Sequence, residues 1–470
     1  RKYSFLLLMA ETITMEGSIT TAEKFPLLHR DRKADSKQIV HNFYLMTAFF
    51  STNHGCMVSC LSLATSRLGS IGSVQSGVLS LSYVASSIFG ATYAVKRLGG
   101  RNAMILGMIL YCTYAACFLV ATALPELATL AAISGAVIGG FGAGFLWTAQ
   151  GAYMSKAASE YAQESSMEIK ECANRLAGGF AFLYLTLEVV LRLIPTILAE
   201  FLSWKSIFAV NTSIAVLSTI GMLLVKDYGK DADESPPMSI FYKVTATFQL
   251  LFQDPKMKYM IGLNAAFGVT SAFQTSYVNG EVLKAALHDQ NSLYVGLFSS
   301  WVALCAAIMS LLLPKILSNE AAMTSGTLCY LFLVLPFMIQ PNPSRWTPTG
   351  LIMVYTLLGI GRATFESTLK AIFIDFFPSE PAGAFGNIIL QSGLSSSLGY
   401  FLTFRISCKS ASKYCIEYSD HTLHNLLFYE LGICILVVVA IWGYWKALKI
   451  HQCEQLAKVA PVESIVYLDN

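Results

Sequence analysis

A chain of 470 residues that is 54% hydrophobic and only 13% charged lacks the charge to cover a soluble surface, which takes about 25%. A mean hydropathy of +0.55 leaves lipid as the solvent for most of the exterior. The net charge of +3 excludes a nucleic-acid partner, whose recognition needs a concentrated basic face.

Residues 1–38 read as a polar tail. The run Phe5–Met9 is too short for a signal-peptide core, so the first span reads as an uncleaved internal signal. Later in the tail stands Glu23-Lys24-Phe25-Pro26-Leu27-Leu28. An acid four positions ahead of a leucine pair has the form of a dileucine sorting signal, which adaptor complexes read on cytosolic tails. The alternative is coincidence, since the pattern is short.

A helix crosses a bilayer with roughly 20 mainly apolar residues, and twelve stretches qualify. Six fall in 39–226, at about 39–62, 74–96, 102–124, 127–152, 177–200 and 204–226. Six more fall in 257–449, at about 257–283, 293–317, 321–340, 349–372, 382–405 and 425–448. The first, seventh and tenth carry many polar side chains. The linker 227–256 holds a turn-rich polar run, then Ile240, Phe241, Val244, Phe248, Leu251 and Phe252 at helical spacing, as in a helix lying on the membrane surface. Residues 450–470 form a second tail. The expected fold is therefore all-α and polytopic, twelve transmembrane helices in two six-helix bundles.

Orientation follows from the basic residues. With both tails and the linker in the cytosol, 23 of the 32 Lys and Arg lie on that side, seven lie opposite, and two are intramembrane. That is the positive-inside pattern. The halves also echo each other: Gly140-Phe141-Gly142 in span four parallels Gly359-Ile360-Gly361 in span ten, and Ala48-Phe49 parallels Ala266-Phe267. Such repeats place a substrate site at the midplane between the halves.

Most of the eleven cysteines sit inside apolar runs, where a thiol is a small hydrophobe, and none has metal-ligand spacing. No cofactor is implied. Cys408 and Cys415 flank a short polar segment between spans eleven and twelve, on the non-cytosolic side where disulfides persist. They are a disulfide candidate, the alternative being two free thiols.

Span four ends in Leu146-Trp147-Thr148-Ala149-Gln150-Gly151-Ala152-Tyr153 after its glycine-rich stretch, and Ala384-Phe385-Gly386-Asn387 with Gln391-Ser392 and Tyr83 with Leu98-Gly99 complete a pattern. This pattern resembles the uncoordinated-ninety-three-like (ion channel regulatory protein) family, a branch of the major facilitator superfamily, from about residue 40 to 448. The resemblance implies the same two-bundle fold. It does not imply one function, since members are described as potassium-channel regulators, trafficking escorts of innate immune receptors, or transporter-like proteins. The chain departs from the pattern in three places. Lys96 stands where the turn after span two usually has an aspartate, Arg362 stands where span ten often has an acid, and Glu366-Ser367 replaces Asn-Thr.

Ionisable groups at mid-membrane cost about 2.5–3.5 kcal/mol each on insertion scales, so they face a partner or a cavity. Glu188 and Arg192 are four apart in span five, and Arg362, Glu366 and Lys370 repeat that spacing in span ten. In one reading an acid binds a proton or cation while the arginines hold an anionic solute; in the other, intrahelical ion pairs neutralise each other and fix the packing. Asn53 and His54 lie halfway along span one, where a histidine either titrates or packs. Gln150 and Gln274 are cavity candidates on the same terms.

The residues therefore support a transporter-like protein moving a small solute, proton or cation, and the family resemblance implies the alternative, a regulatory or escort protein bound to a channel or receptor. No arrangement for catalysis is present in the sequence. The expected location is an endolysosomal, vacuolar or plasma membrane.

Overall fold

The computed structural model describes residues 26–228, 240–289, 291–406 and 420–459, and the regular structure in them is entirely helical. Glu23, Cys408 and Cys415 lie outside the described residues, while Leu27 and Leu28 fall in the first turn of the first helix. The first seven helices are α1 (Pro26–Leu68), α2 (Ser70–Phe89), α3 (Ala91–Leu98), α4 (Gly100–Ala123), α5 (Ala128–Ser165), α6 (Ile169–Leu198) and α7 (Trp204–Gly221). After the linker come α8 (Ile240–Gln253), α9 (Pro255–Phe273), α10 (Leu283–Ala286), α11 (Leu293–Ile316), α12 (Asn319–Ile339), α13 (Pro348–Ala363), α14 (Leu369–Phe376), α15 (Pro381–Ile406) and α16 (Asp420–Val459). Wider π-helical turns, Gln274–Val282 and Thr364–Thr368, join α9 to α10 and α13 to α14.

A helix occupies each predicted stretch. Among the described residues seven helices are long and apolar enough to cross a membrane, eight if α2 and α3, bent by 54° at Gly90, form one span. The helices that fall short, α1, α9, α13 and α15, carry polar side chains such as Asn53, His54, Asn264, Arg362 and Gln391, all wholly or largely buried between helices. α13 is cut to 16 residues by the π turn that follows it, while α1, α9 and α15 turn polar residues to protein instead of lipid, which lowers their hydropathy.

Several helices outrun the predicted spans. α1 begins at Pro26 instead of about 39, and α5 continues to Ser165 instead of stopping near 152. The extensions are charged or polar segments of good helix formers, which hydropathy passes over although their backbone propensity is high.

Glycines set how closely the helices approach. A Cβ on Gly140 of α5 would lie 2.5 Å from the Leu79 carbonyl oxygen of α2, and one on Gly107 of α4 would lie 2.8 Å from the Leu146 nitrogen of α5. The parallel glycine in the second half, Gly359, seats α13 on α11 in the same way, 2.5 Å from Cys305 Cβ. Such small residues drive helix association where no hydrophobic effect operates.

The helices before α8 pack chiefly on one another, as do those after it, and the groups meet along α2 with α15 and α6 with α11. At the end where α1 starts and α16 finishes, the near end, Asn42, Tyr153 and Lys226 are hydrogen-bonded together, as are Lys256, Phe376 and Glu454. At the far end α1 and α2 are sealed against the π turn after α9 and against α10. Asn279 Nδ2 donates to the Ser62 carbonyl at 3.1 Å, Lys284 Nζ donates to the Ser66 carbonyl, and the Ser73 and Ser276 hydroxyls are 2.6 Å apart. The helix α8 packs across α2 and α15 toward the near end: Val244, Phe248 and Leu251 lie with Val84, Ile88 and Leu390, and Asn387 Nδ2 donates to the Thr247 carbonyl at 2.8 Å.

Candidate functional site

The charged residues of spans five and ten meet between the two helix groups. On α6, Phe180, Tyr184, Glu188 and Arg192 recur every four residues, so they form one stripe. The Glu188 side chain is 0% exposed. Arg192 Nη2 lies 2.7 Å from its Oε1 along the same helix. From the other half, Arg362 of α13 donates through Nη1 to Glu188 Oε1 at 2.7 Å and through Nη2 to Oε2 at 2.9 Å. Its Nε donates to Glu366 Oε1 at 2.8 Å. Glu188 thus receives two parallel bonds from the Arg362 guanidinium, a planar fork that lysine could not form, and is ion-paired with Arg192 besides. The side-chain exposures are 13% for Arg362, 14% for Arg192 and 30% for Glu366, so Glu366 is the member nearest water.

Both intrahelical pairs expected from the spacing are present, and the Arg362–Glu188 bridge joins them into one network across the halves. Lys370 is exposed and outside it, because the π turn at Thr364–Thr368 rotates the helix out of its four-residue register.

Aromatic rings adjoin the network on both sides. His54 of α1 sits among Phe50, Tyr111, Trp147 and Tyr184 at centroid distances of 6.2, 5.8, 5.2 and 5.4 Å. Its Nδ1 has no hydrogen-bond partner. In the second half Phe267 of α9 stacks on Phe365, the neighbour of Glu366, at 3.6 Å and 10°. Tyr330 of α12 lies 6.3 Å from Phe267, and its hydroxyl has no partner.

The other predicted residues have contacts of their own. Asn53 points away from its neighbour His54, and its Nδ2 meets the Ala215 carbonyl at 3.1 Å and Thr219 Oγ1 at 3.0 Å, tying α1 to α7. Gln150 is 7% exposed with one long contact, to Met154 Sδ at 3.9 Å. Gln274 is buried where α9 passes into its π turn.

Three features escaped the sequence reading. Tyr184 and Trp147 belong to the site, and the four-residue stripe on α6 was the signal for the first. Glu430 of α16 is a further buried carboxyl, 1% exposed with its Oε1 unpartnered, visible as a lone acid in an apolar run. The turn after span two is anchored despite Lys96: Arg101 Nη2 pairs with Asp227 Oδ2 at 3.4 Å, and Asn102 Nδ2 donates to the same oxygen at 3.2 Å. The acid comes from beyond α7 instead of from the turn itself.

The family model described as Major Facilitator Superfamily matches residues 42–400. The chain is 20% identical over 377 residues to UNC93-like protein 3 of Arabidopsis thaliana, covering 76% of this chain and 79% of that protein. Among solved structures it resembles the nucleoside transporter NupG, with a TM-score of 0.59 and 14% identity over 87% of this chain and 99% of that one. It also resembles a bacterial homologue of the human drug peptide transporters PepT1 and PepT2, with a TM-score of 0.62 and 15% identity over 90% of this chain and 99% of that one. At such identities the two structures speak for the fold alone.

Proposed function

The chain belongs to the Major Facilitator Superfamily, and we propose that within it this protein is a secondary transporter for a small solute bearing an anionic group. It is an integral multi-pass membrane protein. The observation that carries the reading is the bidentate bridge from Arg362 of one half to the fully buried Glu188 of the other.

A guanidinium fork that holds one carboxylate can hold another. A solute carboxylate or phosphate on Arg362 displaces Glu188, and Glu188 keeps Arg192 as its partner. The displaced acid is never left unpaired, which would cost about 3–5 kcal/mol. Exchanging the bridge across the halves for a solute contact frees them to rock about the midplane, the motion inferred for repeats of this kind.

Two acids and two arginines sum to zero charge. An added anion leaves one negative charge in a low-dielectric site, so the solute enters with a proton, and Glu366 is the acceptor nearest water. In this reading the near end faces the cytosol, as the basic residues indicate. The far-end contacts of α1 with the π turn then close the opposite side, and the acidic dileucine run directs the protein through an adaptor complex to its membrane.

A second reading, a non-transporting regulator or escort of a channel or receptor, is favoured by Lys96 in the turn after span two. The Arg101–Asp227 pair weakens that argument, since the turn keeps an acidic anchor. The deciding experiment is uptake into vesicles holding the purified protein, under an imposed pH gradient with a panel of anionic solutes, comparing wild type with Glu188→Gln and Glu366→Gln. Gradient-driven flux lost in either variant is expected; no flux under any condition would overturn the transporter reading.

A further inference from the structure

We infer that the solute is a planar aromatic or heteroaromatic carboxylate; this rests on the anion-accepting role proposed for Arg362. Arg362 and Glu188 meet where two sets of rings converge. From the first half, Tyr184 stands one turn before Glu188 on α6, stacked on Phe180 at 5.7 Å and 5° and edge-on to Trp147 at 5.6 Å and 80°. From the second half, Phe365 precedes Glu366 and carries Phe267 flat against it. A carboxylate seated in the Arg362 fork therefore has an aromatic residue within one turn along the chain in each half, Tyr184 before Glu188 and Phe365 before Glu366.

Two details distinguish this from ordinary core packing. Trp147 and Phe267 are only partly buried, unlike Phe50 and Tyr111 around His54 at 0% and 2% exposure. Each half also leaves one polar atom unpartnered at the ring cluster: Nδ1 of His54, 7% exposed, and the hydroxyl of Tyr330, 2% exposed. Buried polar atoms are nearly always hydrogen-bonded, and a site built to bond a polar group rejects analogues that lack it. These two atoms suit a ring nitrogen, a ring N–H or a hydroxyl on the solute. Stacked and edge-on ring pairs add to affinity beyond buried area, by up to about tenfold for one good pair.

The test is equilibrium binding to the full-length purified protein in lipid nanodiscs by titration calorimetry. The probes are indole-3-acetate, benzoate, cyclohexanecarboxylate, indole and tryptamine. Indole-3-acetate and benzoate are expected to bind about tenfold or more tightly than cyclohexanecarboxylate, with indole and tryptamine showing no saturable binding. Trp147→Leu should remove that preference, measured against cyclohexanecarboxylate on the same variant, and Trp147→Phe should restore it. Phe365→Leu, on the opposite half, provides an independent variant if Trp147→Leu misfolds. Equal affinity for ring and saturated acids would overturn the aromatic assignment and leave the anion site standing. Binding of tryptamine, or of none of the acids, would overturn both.

Discussion

Removing Glu188 and removing Arg362 break the same bridge but should not cost the same. In Glu188→Gln, two guanidiniums that are 13% and 14% exposed lose their shared counter-charge, and Glu366 reaches Arg362 alone. Breaking a buried pair by removing one partner costs about 3–5 kcal/mol, and Arg192 bears most of it here. In Arg362→Gln, Glu188 keeps its ion pair with Arg192 at 2.7 Å, and Glu366 is exposed enough to be solvated. Two charge-assisted bonds to Glu188 are lost together with the cost of burying one cation, so the net loss should be about 1–3 kcal/mol. Denaturant or thermal unfolding of the purified variants measures both values. The double variant Glu188→Gln with Arg362→Gln should cost less than the sum of the singles by about 1–3 kcal/mol. An Arg362→Gln loss equal to or greater than that of Glu188→Gln, or strict additivity in the double variant, would refute the claim that Arg192 holds Glu188 independently of the bridge.

Asn53→Ala should lower stability by about 1–3 kcal/mol through unpaired buried partners yet leave uptake per folded molecule unchanged; a selective loss of uptake would return Asn53 to the site. Placing cysteines at Ser73 and Ser276, whose hydroxyls are 2.6 Å apart, and oxidising them should lock the far end and abolish flux until a reductant is added; unaltered flux in the cross-linked protein would count against a moving far-end seal. Gly140→Leu forces side-chain atoms into the α2 backbone and should destabilise the fold by about 1–3 kcal/mol or more, read as a lowered unfolding midpoint; an unchanged midpoint would show that α5 and α2 can separate freely. Asp227→Asn weakens a pair whose side chains are 23% and 27% exposed and should cost less than about 1 kcal/mol, so a reduced uptake rate at nearly wild-type stability would assign the turn a dynamic role.

Patterns within one helix were legible in the sequence. Apolar runs located the helices, because crossing a bilayer demands length and hydropathy from contiguous residues. Both acid–base pairs followed from four-residue spacing, since α-helical geometry alone brings such side chains together. The same reasoning set the limits: hydropathy passed over the polar extensions of α1 and α5, and an unforeseen π turn removed Lys370 from the network.

Contacts between helices distant in sequence were decided only by the tertiary structure. Asn53 and His54 are neighbours in one span, yet about 100° of helical rotation sends one to α7 and the other into the aromatic cluster. Residues 188 and 362 meet because α6 and α13 both pack on α11, which no spacing within either helix encodes. Arg101 likewise finds its acid in Asp227, on the far side of four helices in the chain. A helix specifies its own faces through local geometry, but which partner each face meets depends on how all the helices share lipid and one another, and that is set only when the whole chain is packed.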